Sequence, residues 1–368
     1  MLLAIPCADA EPASSPSELA RALGAGDDAG FAKALEPREF VFPDDHGPHP
    51  EFRNEWWYVT GNLDSENGRR FGYELTIFRV ALAPDAPASP SDWRTNMLYF
   101  AHFAVTDAAA AEFHAAERYA RGAAGLAGAA ADPFRVWLYD WRIEALPSGA
   151  WRLAANDADV RLEVTLDAMK PPVLNGKAGL SQKSAEPGNA SYYYSVTRFD
   201  TNGRLALGGD TFTVAGTSWL DREWSTSALA PDQAGWDWFA LQLDDGSDLM
   251  VYALRRRDGT IDAESAGTFT AADGSATQFA RDEIRIDVTD RWTSPRGGTY
   301  PAGWRLAVPS LGLALEVEPV VADQELDTLV RYWEGAVDVS GTRGGSPVAG
   351  RGYVELTGYA KPRELERP

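Results

Sequence analysis

Trp151-Arg-Leu-Ala154, followed by Leu162-Glu-Val164, recurs as Trp304-Arg-Leu-Ala307 followed by Leu315-Glu-Val317, with the same spacing of 11 residues from tryptophan to leucine. Two more pairs flank this one in the same order. Glu55-Trp-Trp-Tyr58 with Asn62-Leu-Asp64 and Tyr73 is matched by Asp237-Trp-Phe239 with Gln242-Leu-Asp244 and Tyr252; Val214-Ala-Gly216 leading to Trp219-Leu-Asp221 is matched by Val348-Ala-Gly350 leading to Tyr353-Val-Glu355. Generic strand similarity produces one such match, whereas three in order imply a duplicated unit. The units run over 37–227 and 228–368, preceded by a spacer over 1–36.

Each unit reads as β-structure. Short alternating runs over 71–80, 98–105, 150–154, 161–166, 191–198, 237–243, 249–255 and 353–359 are separated by turn signals. These are Asn67-Gly68, Asp200-Thr-Asn-Gly203, Asp245-Gly246, Asp258-Gly259 and Asp273-Gly274. Antiparallel strands with one apolar face close most readily into barrels, which removes exposed edges. The expected architecture is therefore all-β, two antiparallel barrels in tandem. The alanine-rich stretch 108–131 breaks the pattern: 113–119 is helix-compatible, and 123–131 reads as a mobile flap at a barrel mouth.

Charge narrows the function. With 54 Asp+Glu against 34 Lys+Arg the chain carries −20, and only five of its basic residues are lysines. Nucleic acids and anionic membranes both require a positive footprint, so neither is an expected partner. No run approaches the roughly 18 apolar residues of a spanning helix. The start, Met1-Leu-Leu-Ala-Ile-Pro-Cys7 with Ala8-Asp-Ala10, reads as the end of an export signal, implying a periplasmic or secreted protein, or else as a plain tail. Processing at Ala10 would remove Cys7, the sole cysteine, and with it any disulfide or thiol chemistry.

Chemistry concentrates in Trp219-Leu-Asp-Arg-Glu-Trp224. On a strand, Trp219, Asp221 and Glu223 share one face, and Leu220, Arg222 and Trp224 the other. Two readings follow. The acids form a structural ion pair with an arginine such as Arg222 or Arg198, or an aromatic wall desolvates them and keeps one protonated as a general acid. Glu55 and Trp57 share a face in the same manner, as do Trp236 and Trp238, which extend a pocket or fill a core. His102 lies mid-strand among apolar neighbours and either orients an acid or water, or bonds a backbone carbonyl. Four histidines without close spacing make a metal site improbable. Nucleophile-elbow, Walker and dinucleotide-binding fingerprints are missing, and no cofactor is expected.

Asp44-Asp-His-Gly-Pro-His49, Arg53-Asn-Glu-Trp-Trp-Tyr58, His102-Phe-Ala-Val-Thr-Asp107, Trp219-Leu-Asp-Arg-Glu-Trp224, Gly235-Trp-Asp-Trp-Phe239 and Tyr332-Trp-Glu-Gly335 together resemble the AttH/CrtC family of lipocalin-like proteins. The resemblance covers about 42–359. It implies two lipocalin-like, calycin-type barrels, and, through the carotenoid 1,2-hydratases in that family, acid-catalysed hydration of a polyene or isoprenoid. Asp221 resembles the acid proposed for those hydratases, with Glu223 beside it. Tyr192 and Tyr194 resemble the positions flanking that acid, where the hydratases favour histidine and tryptophan. The expectation is a long apolar ligand held in an aromatic barrel pocket by Trp219, Tyr194, Glu55, Trp57, His102, Trp236 and Trp238, with Asp221, Glu223 and Tyr192 doing the chemistry. A carrier without turnover is the alternative.

Overall fold

Alternating side chains between glycine-bearing turns give an almost purely β chain in the computed structural model, which describes residues 28–86, 88–227 and 229–360. The segment behind the export reading lies outside the described residues. The first sheet has thirteen strands: β1 (Asn54–Ser65), β2 (Arg70–Ala81), β3 (Met97–Asp107), β4 (Glu112–Arg121), β5 (Ala127–Ala131), β6 (Phe134–Leu138), β7 (Trp141–Ala145), β8 (Trp151–Asp157), β9 (Val160–Ala168), β10 (Val173–Leu174), β11 (Leu180–Gln182), β12 (Ala190–Leu207) and β13 (Asp210–Ser225). The second has ten: β14 (Gln233–Leu243), β15 (Asp248–Arg256), β16 (Ala266–Thr270), β17 (Ala276–Ala280), β18 (Arg285–Thr293), β19 (Thr299–Val308), β20 (Leu313–Pro319), β21 (Glu325–Asp327), β22 (Arg331–Arg343) and β23 (Ser346–Leu356).

All pairings between these strands are antiparallel. The first sheet runs β4-β3-β2-β1-β13-β12-β9-β8-β7-β6-β5, with β10 and β11 attached to β12; the second runs β17-β16-β15-β14-β23-β22-β20-β19-β18, with β21 on β22. Both curl, and one nearly closes into a barrel. Across the ends of the first, Arg118 on β4 bonds Asp140 and the Asn156 carbonyl beyond β6.

Three local expectations change. Residues 200–203 do not turn. They continue β12, where a Cβ on Gly203 would collide with the Glu163 carbonyl of β9, so this glycine serves close approach of two strands. The hairpin falls instead at Gly208-Gly209, with φ of +60° and +89°. Residues 113–119 are strand β4, because helix propensity differs by only about 0.7 kcal/mol per residue and is outweighed by a continuous ladder to β3. Within 123–131, residues Ala127–Ala131 form β5, laddered to β6 rather than free as a flap.

Each sheet wraps its own core. Trp57, Trp141, Tyr194, Leu220 and Trp224 are buried inside the first, and Phe239, Trp304, Trp333 and Val354 inside the second. The outward faces of β1, β2, β12 and β13 meet those of β14, β15, β22 and β23, burying a third cluster that includes Tyr58, Tyr193, Trp219, Trp238 and Tyr353. That seam between the sheets positions the site.

Candidate active site

Strand parity decides which side chains meet. On β13, Leu220, Arg222 and Trp224 point into the first core, leaving Trp219, Asp221 and Glu223 for the seam. Register then sets Ser195, Asp221, Tyr58, Thr76 and His102 side by side across β12, β13, β1, β2 and β3. In the second sheet Glu334, Glu355, Trp238 and Tyr252 form the corresponding row. Where the rows face each other lies a cavity that opens to solvent. Its walls include Trp56, Tyr58, Phe78, Trp236, Trp238 and Tyr252, and its ionisable groups are Asp221, Glu223, Glu355, Lys183 and the tyrosine phenols.

Asp221 has no cation partner among its hydrogen bonds. Its Oδ1 accepts from Ser195 Oγ at 2.5 Å and Trp219 Nε1 at 2.7 Å, and its Oδ2 accepts from the Tyr193 hydroxyl. Trp238 Nε1 in turn donates to that hydroxyl at 3.1 Å, tying the second sheet to the acid. Burial raises the Asp221 pKa to about 6, the three donors holding it from rising further.

Glu355 faces the cavity from the second sheet with a single donor, Trp236 Nε1 at 2.9 Å on Oε2. Burial is again the main cause, the Trp236 bond opposes it, and the negative charges of Asp221 and Glu223 add to it, so the pKa reaches about 8. At neutral pH Glu355 therefore carries a proton and Asp221 is mostly ionised. Glu223 pairs with Lys183 Nζ at 2.9 Å, and that ammonium sits 4.7 Å from the Tyr252 ring centre and 5.1 Å from that of Tyr193.

Of the residues singled out in the sequence, Asp221, Glu223, Trp236 and Trp238 line the cavity, and Trp219 supports Asp221 from behind. The others do not meet there. Tyr192 and Tyr194 point into the first barrel; the Tyr192 hydroxyl donates to the Glu36 carbonyl at 2.8 Å, and Tyr194 bonds His46 Nδ1 at 2.6 Å. Their neighbour Tyr193 takes the place expected of them. Glu55 and Trp57 also point inward, one residue out of phase with the lining residues Trp56 and Tyr58. His102 lies farther along the seam, bonded through Nδ1 to the Tyr332 hydroxyl at 2.8 Å rather than to a backbone carbonyl.

Inside the first barrel, the region around Glu55 is filled by paired and stacked side chains. Glu55 is clasped by Arg79 and Arg222, and the Arg222 guanidinium lies 4.0 Å from the Trp57 ring centre. His49 stacks on Trp224 at 3.7 Å. Burial would push Glu55 up, but the two arginines hold it well below the usual carboxylate range. The arginine partners anticipated for Asp221 and Glu223 are thus engaged elsewhere, Arg222 with Glu55 and Arg198 with Asp248 at 2.6 Å. Sequence reasoning missed Tyr58, Tyr193 and Lys183, and noticed Glu355 only as the counterpart of Asp221. Among the described residues, no three His, Cys, Asp or Glu side chains are grouped to hold a metal ion, and no helix is long and apolar enough to cross a membrane.

Two curled antiparallel sheets of this kind define a class already seen in solved structures. The chain belongs to the AttH-like family, whose sequence profile matches residues 33–359. An AttH protein from Nitrosomonas europaea superposes with a TM-score of 0.81 at 34% identity, covering 90% of this chain and 100% of that one. Kievitone hydratase from Nectria haematococca shares the fold, with a TM-score of 0.66 at 18% identity over 90% of this chain and 98% of its own. In sequence, kievitone hydratase of Fusarium solani subsp. phaseoli is 26% identical over 213 residues, 56% of this chain and 59% of the relative.

Proposed function

We propose that this protein adds water across a trisubstituted, isoprenoid-type double bond held in the seam between its sheets. The observation that carries the reading is the pairing of Asp221 and Glu355 on one aromatic cavity, with environments that set their proton affinities apart. Such a separation assigns acid and base. Similarity to proteins named kievitone hydratase supports the reaction type.

Glu355 donates its proton to the less substituted alkene carbon, leaving a tertiary carbocation. Tryptophan and tyrosine faces attract that cation by about 0.5 to 2 kcal/mol each, and the Asp221 carboxylate supplies the counter-charge. Water attacks the cation and gives a proton to Asp221. The carbon–oxygen and carbon–hydrogen bonds formed together account for one water. Tyr193, Ser195 and Trp219 fix the Asp221 carboxylate, and Lys183 neutralises Glu223 beside it. The test is incubation of the protein with isoprenoid alkenes of increasing length, monitored by mass spectrometry. A product heavier by one water supports hydration, whereas tightly bound but unchanged alkene replaces it with a carrier function.

A further inference from the structure

Behind the cavity the seam holds two carboxyls that the reaction above does not use. Glu334 stands directly opposite Glu355 in the β22–β23 ladder, on the same face, where Cβ atoms are about 5 Å apart. Its Oε1 accepts from the Tyr58 hydroxyl at 2.5 Å, and its Oε2 has no partner. Glu74, from β2 of the first sheet, is fully buried, and its carboxyl is met by Thr76 of the same strand and by no cation among the described residues. His102 Nε2, on the same face of the first sheet, is buried without a hydrogen-bond partner among the described residues. Buried polar groups are ordinarily bonded, so this concentration is unusual. Among the described residues no arginine or lysine pairs with either glutamate, in contrast to the doubly paired Glu55.

We infer that Glu334, backed by Glu74, is an internal proton store that recharges Glu355 after each turnover, with the Tyr58 hydroxyl closing the circuit. Two carboxyls buried together without a cation hold their protons, since ionising either is opposed by burial and by its neighbours. Every titratable group facing them acts in this direction or is neutral. Glu355 is neutral while it holds its proton and adds like charge once it has given it up, the phenols of Tyr58, Tyr332 and Tyr353 stay protonated, and burial lowers His102 to about 3, leaving it uncharged.

The circuit balances. Glu355 gives a proton to carbon and takes one from Glu334. The proton left on Asp221 by the attacking water passes across the cavity, which both side chains line, to Tyr58, as Tyr58 passes its own to Glu334. No net proton enters or leaves, and the sum is alkene plus water. Glu74 and Glu334 are positioning residues, and their role rests on the hydration reading.

The experiment compares native protein with Glu334→Gln and Tyr58→Phe in single-turnover and steady-state reactions on the alkene that the native protein hydrates. Infrared spectra at neutral pH, in light and heavy water, report protonated carboxyls in the same samples. For Glu334→Gln the expected result is a first turnover near the native rate, steady-state turnover lower by roughly tenfold or more, partial rescue by a small weak acid, and loss of a protonated-carboxyl band; for Tyr58→Phe, whose ring lines the cavity, it is a steady-state rate that falls roughly tenfold or more further than the first turnover does. Tyr58→Phe retains all three acids, so it tests the circuit even if Glu334→Gln folds poorly. Equal losses in both regimes, or no loss in either, would overturn the recharging role. Absence of the band from native protein would overturn the store. If native protein makes no product, hydration and recharging fall together, while the band decides the store by itself.

Discussion

Asp221 and Glu355 occupy equivalent places in the two sheets. Asp221 is the register partner of Tyr58 across β13 and β1, and Glu355 that of Trp238 across β23 and β14. Their donors differ, three for Asp221 against one for Glu355, and that difference separates base from acid. Glu355→Gln is expected to keep the fold and ligand affinity while lowering turnover by roughly 100-fold or more, the usual contribution of a general acid. Rates together with ligand-induced tryptophan quenching check both halves of this prediction.

The pH dependence follows from the same pair. Turnover requires Asp221 ionised and Glu355 protonated, so kcat/KM rises as pH increases through about 6 and falls through about 8. The two limbs belong to the coupled pair. A profile flat from pH 5 to 9 would remove this assignment.

Tyr193 and Tyr192 offer a test of strand parity. Tyr193→Phe removes a donor to the Asp221 carboxylate, which raises the Asp221 pKa and moves the acidic limb to higher pH. Tyr192→Phe loses only a bond to the Glu36 carbonyl, costs about 1 kcal/mol of stability, and leaves the profile unchanged. Rate profiles and urea unfolding of the two variants distinguish them.

Stability also responds to pH. Glu355 binds its proton more tightly folded, at about 8, than at the ordinary value of 4.5. The folded state then holds more protons than the unfolded chain, so this contribution is fully present below about 4.5 and is lost as pH rises through about 8. In thermal melts over this window, Glu355→Gln is expected to lose stability less steeply with rising pH than native protein does.

Much of this was legible in the sequence. Alternation and turn glycines marked the strands, and the Trp-Leu-Asp-Arg-Glu-Trp stretch carried its own parity, so Asp221 and Glu223 sharing a face needed no structure. What could not be read was which face is inside. Glu55-Trp-Trp-Tyr58 has large side chains on both faces, and only the pairing of β1 with β13 shows that Trp56 and Tyr58 join Asp221 while Glu55 and Trp57 enter the core. Tyr192-Tyr-Tyr194 is ambiguous for the same reason. Lys183 and Glu334 reach the seam through contacts between residues distant in sequence, which no local pattern encodes.

The first core makes a separate prediction. Arg222→Met leaves the buried Glu55 carboxylate with one arginine in place of two. Breaking a buried ion pair from one side costs about 3–5 kcal/mol, so a large fall in the urea midpoint is expected. A cost under about 1 kcal/mol would show that Arg79 alone satisfies Glu55.

The most direct measurement is a single-turnover reaction in water enriched in heavy oxygen, with native protein, Asp221→Asn and Glu355→Gln each in excess over an isoprenoid alkene. The account predicts an alcohol carrying the heavy oxygen from native protein and none within the same time from either variant. Equal product from both variants, or alkene recovered unchanged from native protein, would contradict it.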